Sequence, residues 1–206
     1  HSRIVLQGFG NVGSWFARIA HGEGARIIAV ADHLGGVYND KLLDIPALLE
    51  YTKVHGSVAG FPGGTPLPRE DIFTVESDIV VPAAIEHVIN ASNAGTLQTK
   101  LVLEAANQPL TPEADAILKE RGIPVLPDIL VNAGGVVVSY FEWTQNLQQY
   151  SWGEEQVIDA LKERMLRAYD AVASLVKNSD RTFREAAFEI GVERVAKAAE
   201  LRGFVV

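Results

Sequence analysis

Cysteine is missing from this sequence, and so is any long apolar run. Without cysteine the chain has neither a disulfide nor a thiolate nucleophile, which fits a reducing compartment and predicts a cytoplasmic location. Because no apolar stretch is long enough to span a bilayer, we expect no membrane partner. Basic residues are also few, with 18 Lys and Arg against 26 Asp and Glu and a net charge of −8. This balance argues against a nucleic-acid partner.

The 206 residues that are present have the composition of an ordinary globular protein. At 48% hydrophobic and 21% charged residues, they suffice for one large α/β domain or two small ones. The five histidines show no metal-ligand spacing, so no metal site is predicted.

The opening of the chain follows the pattern strand, glycine turn, helix, strand and acid. An apolar run over residues 4–6 enters the turn Gly8-Phe9-Gly10-Asn11-Val12-Gly13, and an amphipathic segment follows. A second apolar run, over residues 25–31, ends at Asp32. Glycines at this spacing also occur in turns without ligands, but the surrounding strand–helix–strand pattern favours a dinucleotide site.

Each glycine has a distinct role in that motif. Gly8 allows the tight turn, Gly10 lets backbone N–H groups approach a pyrophosphate, and Gly13 lets the helix pack closely against the strand. The helix directs its positive end at the phosphates. Asp32 follows Gly13 by 19 residues, where an acid can accept hydrogen bonds from an adenosine ribose.

Short apolar runs alternate with helical patterns along the rest of the chain. The predicted strands lie at residues 37–38, 78–82, 100–103 and 124–128, and the predicted helices at 11–21 (apolar face Val12, Phe16, Ile19 and Ala20), from 44, at 87–95, 111–121, 154–177 and 182–201. Residues 56–68 are predicted to be a surface loop. The alternation predicts a Rossmann-type, doubly wound, mostly parallel α/β sheet. We therefore predict a dinucleotide-binding domain over residues 1–206, with 136–206 as a helical extension.

Four segments should meet at the carboxyl edge of this sheet, where ligands of open α/β folds bind. They are the glycine turn and residues 82–84, 105–107 and 132–135. Their small side chains leave room for a flat ring, while Asn107 and Asn132 offer amides, although asparagine after a strand is also a common turn former.

Several motifs closely resemble the C-terminal domain of glutamate dehydrogenases, in the Glu/Leu/Phe/Val dehydrogenase family. They are residues 5–13, Pro82-Ala83-Ala84, Glu104-Ala105-Ala106-Asn107 and the long segment 127–143, and the likeness runs from residue 3 to 203. The resemblance implies NAD(P)-dependent oxidative deamination of L-glutamate to 2-oxoglutarate and ammonia.

The resemblance also implies a set of coenzyme-binding residues. They are Gly8, Phe9, Gly10, Asn11, Val12, Gly13, Asp32, Ala83, Ala84, Asn107 and Asn132. Residues 9–12 would contact the pyrophosphate, Asp32 the adenosine ribose, and residues 83–84 the adenosine side. Asn107 and Asn132 would contact the nicotinamide ribose and carboxamide.

Val136 and Ser139 would face the substrate, with Ser139 hydrogen-bonding the side-chain carboxylate of glutamate. In this family the catalytic lysine and aspartate lie in an N-terminal domain ahead of the glycine motif, and that domain is absent from this sequence. No catalytic residue is therefore assigned. We expect the chain to bind dinucleotide but not to turn over glutamate by itself. The full-length protein is expected to be a homo-hexamer; the oligomeric state of this chain is left open.

NAD is the preferred coenzyme on this sequence, with NADP use left open. Asp32 disfavours a 2′-phosphate by like charge, and residues 33–35 offer no arginine to accept one. Protonated His33 would tolerate the phosphate.

Two alternatives compete with the glutamate dehydrogenase interpretation. The first is a free-standing dinucleotide-binding module that senses or scaffolds without catalysis. The second is a small dehydrogenase for another substrate, with Ser139, Glu104 or Asp128 in acid–base roles.

Overall fold

The computed structural model describes residues 2–204, so the predicted domain 1–206 extends slightly beyond them at both ends. The chain divides into two compact units, His1–Val125 and Leu126–Val206. The first unit contains β1 Arg3–Gln7, α1 Asn11–Gly22, β2 Arg26–Ala31, β3 Gly36–Tyr38, α2 Ile45–His55, β4 Thr65–Leu67, a 3₁₀ helix Arg69–Thr74, β5 Ile79–Pro82, a 3₁₀ helix Ala94–Thr96, β6 Leu101–Leu103 and α3 Pro112–Glu120. The strand β7, Val125–Leu126, spans the boundary.

The strands described in residues 2–204 form one sheet in the order β4-β3-β2-β1-β5-β6-β7. Parallel pairs join β1 to β2, β1 to β5 and β5 to β6, whereas β3 and β4 are antiparallel additions at one edge. The predicted Rossmann-type, mostly parallel α/β fold is confirmed. The strand order reverses between β1 and β5, which is where such sheets bind ligands.

Neighbouring residues of β1 point to opposite faces of the sheet, and helices pack against both faces. Val5 belongs to a core that includes Leu118 of α3. Leu6 belongs to a second core, with Ala17 of α1 and Leu48 of α2. This arrangement fixes the carboxyl ends of β1 and β5 between two packed layers.

The starts of α2 and α3 are set by capping residues. The Asp44 carboxylate accepts a hydrogen bond from Ala47 N at 2.9 Å, and the Thr111 hydroxyl accepts one from Ala114 N at 3.2 Å. A proline lies in the first turn of each helix, where no N–H is needed. The predicted starts of α2 and α3 are confirmed.

The prediction of a helix over residues 87–95 is wrong. His87 has a positive φ of 55°, and Ile89 pairs with Leu110 in an isolated parallel bridge. Asn90 and Asn93 then close a turn, in which the Asn93 side chain accepts from Asn90 N at 2.8 Å. Local side-chain hydrogen bonds of this kind compete with the helix, and only a 3₁₀ turn remains at Ala94–Thr96.

The predicted surface loop 56–68 contains β4, which the sequence analysis missed. Pro66 pairs with Val37 in antiparallel register at the sheet edge, where a proline is tolerated because its missing N–H faces no partner. Phe61 within the loop is buried and makes an edge contact with the Tyr51 ring, at a centroid distance of 5.4 Å. These contacts anchor the loop to the core.

The apolar face predicted for α1 is only partly correct. Gly13 and Ala17 are the buried positions, with partly buried Phe16 beside them, while Val12 and Ile19 are 52% and 61% exposed. The close contact at Gly13 rotates the helix so that its smallest residues face the sheet.

The second unit is helical, with α4 Asp128–Val131, α5 Ala133–Gln148, α6 Glu154–Lys177 and α7 Phe183–Leu201. The limits predicted for α6 are confirmed, as is the start of α7, where Thr182 and Glu185 form a reciprocal capping box. Leu130 and Val172 are buried in the core of this unit.

Two predictions in the second unit are corrected. The strand over residues 124–128 shrinks to Val125–Leu126, because Asp128 already begins α4 and accepts Ile129 N at 2.7 Å. The helical part begins before residue 136, where the helical extension was predicted to start. Asn132 separates α4 from α5, and residues 133–135 form the first turn of α5.

Lys100 and Asp78 form an ion pair at the amino end of the sheet, 2.7 Å from Nζ to Oδ1. The other carboxylate oxygen of Asp78 accepts Arg3 N at 2.8 Å. The hydrogen bond from Lys100 holds the pKa of Asp78 below its ordinary value, and the same bond raises the pKa of Lys100. The stability that Asp78 contributes is therefore present above its unfolded-state pKa and is lost as pH falls through the lowered folded-state pKa.

Replacing Lys100 by methionine should move this acid loss of stability to higher pH. Urea midpoints measured from neutral pH downward should fall earlier in the variant than in the wild type, by a small margin because the pair is exposed. Lys41→Met, at a lysine with no carboxylate partner among the described residues, is the matched control. Superimposable profiles for the wild type and Lys100→Met would contradict the prediction.

Candidate functional site

A cavity of about 740 Å³ opens in the first unit at the carboxyl ends of β1, β2 and β5. It lies at the reversal of strand order, where the fold predicts a ligand. The predicted coenzyme residues that line it are Gly8, Phe9, Gly10, Asn11, Val12, Asp32, Ala83 and Ala84. The structure therefore brings together at this cavity two of the four segments that the sequence analysis placed at this edge, the glycine turn and residues 83–84, and adds Asp32.

The glycine turn has the geometry that its three glycines predict. Gly8 has φ +101°, and a Cβ there would lie 2.7 Å from Ala84 N. A Cβ on Gly13 would lie 2.0 Å from the Gly8 carbonyl oxygen, so the helix contacts the turn directly at this point. A Cβ on Gly10 would meet nothing within 4 Å. Gly8 and Gly13 thus hold the turn together, and Gly10 leaves open space in front of the backbone.

The amino terminus of α1 lies at this open space and has no side-chain cap among the described residues. The first helical hydrogen bond runs from Ser14 N to the Gly10 carbonyl at 2.9 Å. The N–H groups of residues 11–13, which come before this bond, have no carbonyl of the helix to donate to and can donate to an external acceptor. Together with the helix dipole they form an anion site of the kind that binds a pyrophosphate.

Gln7 is a residue of this site that the sequence analysis missed. It ends β1 and lines the cavity, and its Oε1 is buried without a hydrogen-bond partner among the described residues. Buried acceptors are nearly always satisfied, so an orphaned one in a cavity wall fits a ligand donor. The sequence feature that could have identified Gln7 is its position as a polar residue at the end of a buried strand, directly before the glycine turn.

The Asp32 carboxylate accepts hydrogen bonds from other residues of this chain. Its Oδ1 accepts Leu34 N at 2.9 Å, Gly35 N at 3.3 Å and the Ser57 hydroxyl at 2.9 Å, while Oδ2 accepts Val58 N at 2.8 Å. These bonds join the end of β2 to the loop after α2. Contact between Asp32 and a ribose stays a prediction, and the carboxylate has at least a structural role.

The loops after β5 and β6 lie side by side. The N–H groups of Ala105 and Ala106 both donate to the Pro82 carbonyl, at 3.1 and 3.0 Å. Asn107 follows directly and is exposed, but it is not among the residues that line the cavity. Its role toward a nicotinamide ribose stays a prediction.

The remaining predicted residues belong to the second unit. Asn132 lies between α4 and α5, and Val136 and Ser139 are exposed one turn apart on α5. Ligand contacts at these three positions remain predictions.

Two acids proposed as alternative bases have surroundings that favour structural roles. Glu104 is fully buried at the end of β6. Asp128 accepts the N–H of the next residue, and its Oδ1 lies 3.7 Å from Nη1 of Arg184. Within residues 2–204, no three His, Asp or Glu side chains gather as metal ligands, and no helix is long and apolar enough to cross a bilayer.

The family model for Glutamate/Leucine/Phenylalanine/Valine dehydrogenase matches residues 1–203. The chain belongs to this family. A curated relative, the glutamate dehydrogenase of Thermotoga maritima, is 45% identical over 201 residues, which cover 97% of this chain and 48% of the relative. The resemblance stated from the sequence motifs is confirmed.

Solved structures of the family agree with this assignment. The hetero-hexameric glutamate dehydrogenase of Thermus thermophilus, in a leucine-bound form, has a TM-score of 0.91 and 35% identity, covering 98% of this chain and 47% of that one. The glutamate dehydrogenase of Peptoniphilus asaccharolyticus has a TM-score of 0.83 at 35% identity, with coverages of 98% and 47%. The chain thus spans about half the length of the dehydrogenases that it matches.

Proposed function

We propose that this chain is the dinucleotide-binding domain of an NAD(P)-dependent glutamate dehydrogenase. In the full-length protein it would take part in the oxidative deamination of L-glutamate to 2-oxoglutarate and ammonia. The observation that carries the proposal is the uncapped amino terminus of α1, which opens beside Gly10 into a cavity of about 740 Å³. An extended anionic ligand fits a site of this size and polarity.

The chain's own residues suggest how the coenzyme would be held. Backbone N–H groups at residues 10–12 would bind the diphosphate, and the small residues Ala83 and Ala84 would leave room for the adenosine. Gln7 would accept a hydrogen bond from a ligand donor, which would satisfy its orphaned Oε1. When bound, the nicotinamide coenzyme supplies the hydride acceptor for the reaction.

Glutamate is the proposed substrate among those of the family. Ser139 is an exposed hydroxyl on α5 and would donate to the substrate side-chain carboxylate, with Val136 one turn before it. The relatives at 45% and 35% identity are named glutamate dehydrogenases, which supports this choice. A screen of glutamate against leucine, phenylalanine and valine in the full-length protein would test it.

The 206-residue chain should bind dinucleotide and yet show no turnover. Hydride transfer needs a polarised amino acid held over the nicotinamide, and the family's catalytic lysine and aspartate are expected outside these residues. Calorimetric titration with NAD and NADP should give saturable binding, while glutamate plus NAD should give no steady formation of NADH. Absence of binding would contradict the proposed function, and sustained NADH formation would contradict the expected lack of turnover.

The full-length protein is proposed to assemble as a hexamer, in line with the Thermus relative, which is described as hetero-hexameric. Whether its subunits are identical, and whether it is cytoplasmic, remain predictions. Light scattering on the full-length protein would give the subunit number.

A further inference from the structure

An arginine lies next to the loop that follows Asp32, although none occurs in residues 33–35. Arg69, at the start of the 3₁₀ helix Arg69–Thr74, donates from Nη1 to the His33 carbonyl at 3.1 Å. The two residues are 36 positions apart, and the fold joins them because β4 returns the chain alongside β3. A guanidinium from a distant segment therefore lies beside the loop that follows Asp32.

Arg69 stands where two cavities of the first unit meet. The coenzyme cavity of about 740 Å³ and a second cavity of about 710 Å³ share His33, Arg69 and Glu70 in their linings. The second cavity extends away from the glycine turn, past Gly35 and toward Ala59. A group projecting from the adenosine end of a bound dinucleotide would thus have room beside the guanidinium.

The charges near Arg69 also differ from those of a site that excludes the 2′-phosphate of NADP. The Asp32 carboxylate, which would repel a 2′-phosphate, already accepts four hydrogen bonds from its own chain. The Arg69 guanidinium has no carboxylate partner among the residues that the structure describes. It makes one hydrogen bond to a carbonyl, which leaves donors on the guanidinium for another acceptor.

We propose that Arg69, together with His33, forms the subsite for the 2′-phosphate of NADP, and that this chain binds NADP as well as NAD. The proposal rests on the proposed dinucleotide function and names the residue that decides between the two coenzymes. A guanidinium can pair with phosphate oxygens through two parallel hydrogen bonds. Glu70 shares the same rim, so the rim is of mixed charge and NAD is accepted too.

Calorimetric titration of the 206-residue chain with four probes tests this subsite. The probes are 5′-AMP, adenosine 2′,5′-bisphosphate, NAD and NADP, which differ pairwise by the 2′-phosphate alone. Arg69→Ala should weaken the bisphosphate and NADP by about tenfold or more and leave 5′-AMP and NAD within about twofold. Arg69→Gln removes the charge but keeps a polar side chain, and it should show the same selective loss.

Arg26→Ala is the matched control, because Arg26 also donates to a backbone carbonyl, that of Lys41 at 2.8 Å, but at the opposite end of β2. It should leave all four affinities unchanged. If 5′-AMP and NAD bind but the 2′-phosphorylated probes do not, or if the Arg69 variants weaken all four equally, the subsite is refuted while the dinucleotide function stands. If no probe binds the wild type, the proposed function itself is refuted.

Discussion

Replacing Gly13 by alanine should prevent the first unit from folding stably. The added Cβ would lie 2.0 Å from the Gly8 carbonyl oxygen and 2.8 Å from the Gly8 carbonyl carbon, far inside van der Waals contact. Both atoms are backbone at the end of β1, so α1 would have to move off the sheet to relieve the overlap. We expect the free energy of unfolding to fall by about 3 kcal/mol or more, measured by urea denaturation.

Gly10, directly before α1, and Gly22, at its end, provide matched controls with different readouts. A Cβ on Gly10 would meet no atom within 4 Å, and Gly10 has an ordinary φ of −78°. The Gly10→Ala chain should therefore keep its fold. Its methyl group would occupy the open space at the helix terminus and should weaken NAD by about tenfold or more. Gly22→Ala, also unobstructed and at the end of α1, should alter neither property unfavourably.

A Gly13→Ala chain as stable as Gly22→Ala would show that the turn can shift to admit a side chain. If Gly10→Ala bound NAD at full affinity, the diphosphate would not approach the backbone at Gly10. The two variants therefore separate the packing role of one glycine from the ligand role of the other.

Most of the fold could be predicted from short-range patterns in the sequence. The segment from β1 through α1 to β2 follows from apolar runs and a glycine turn, because both its local conformation and its packing are decided within about one βαβ unit. The same holds for α2, α3 and α7. Each of these helices starts at a carboxylate or hydroxyl that accepts a hydrogen bond from the backbone N–H three residues later.

The errors occur where distant residues decide the local structure. Residues 87–95 were predicted to be helical, but Ile89 pairs in a bridge with Leu110, 21 positions later, and the Asn90–Asn93 turn follows that bridge. Pro66 belongs to an edge strand because β3 offers it a partner. No local pattern contains either partner, so a window along the chain cannot detect these pairings.

The candidate site shows the same division. Gly8, Gly10 and Gly13 were predicted in the arrangement that the structure has, since a single turn places all three. Arg69 was missed, because it reaches His33 from 36 residues away. The chemistry of a site assembled by one loop can be read from its spacing, whereas the side chains added by neighbouring loops require the fold.

Asp32→Asn should lower stability more than it lowers coenzyme affinity. The carboxylate uses both oxygens as acceptors, with three donors on Oδ1 and Val58 N on Oδ2. An asparagine has a single oxygen. In either orientation its NH₂ group would face N–H or O–H donors that the carboxylate now satisfies, and the loop after α2 would lose its attachment to β2.

We expect Asp32→Asn to lower the free energy of unfolding by about 2–3 kcal/mol, since bonds to charged groups contribute about 1.5–3 kcal/mol each and are not additive. NAD affinity of the folded variant, measured well below its urea midpoint, should change by less than about fivefold. Asp40→Asn, at a nearby exposed acid, controls for the change in net charge and should leave the midpoint unmoved. The reverse pattern, full stability with lost NAD binding, would mean that Asp32 acts chiefly on the ribose. That result would also weaken the argument for a 2′-phosphate beside Arg69, because the acid would then be directed at the ligand.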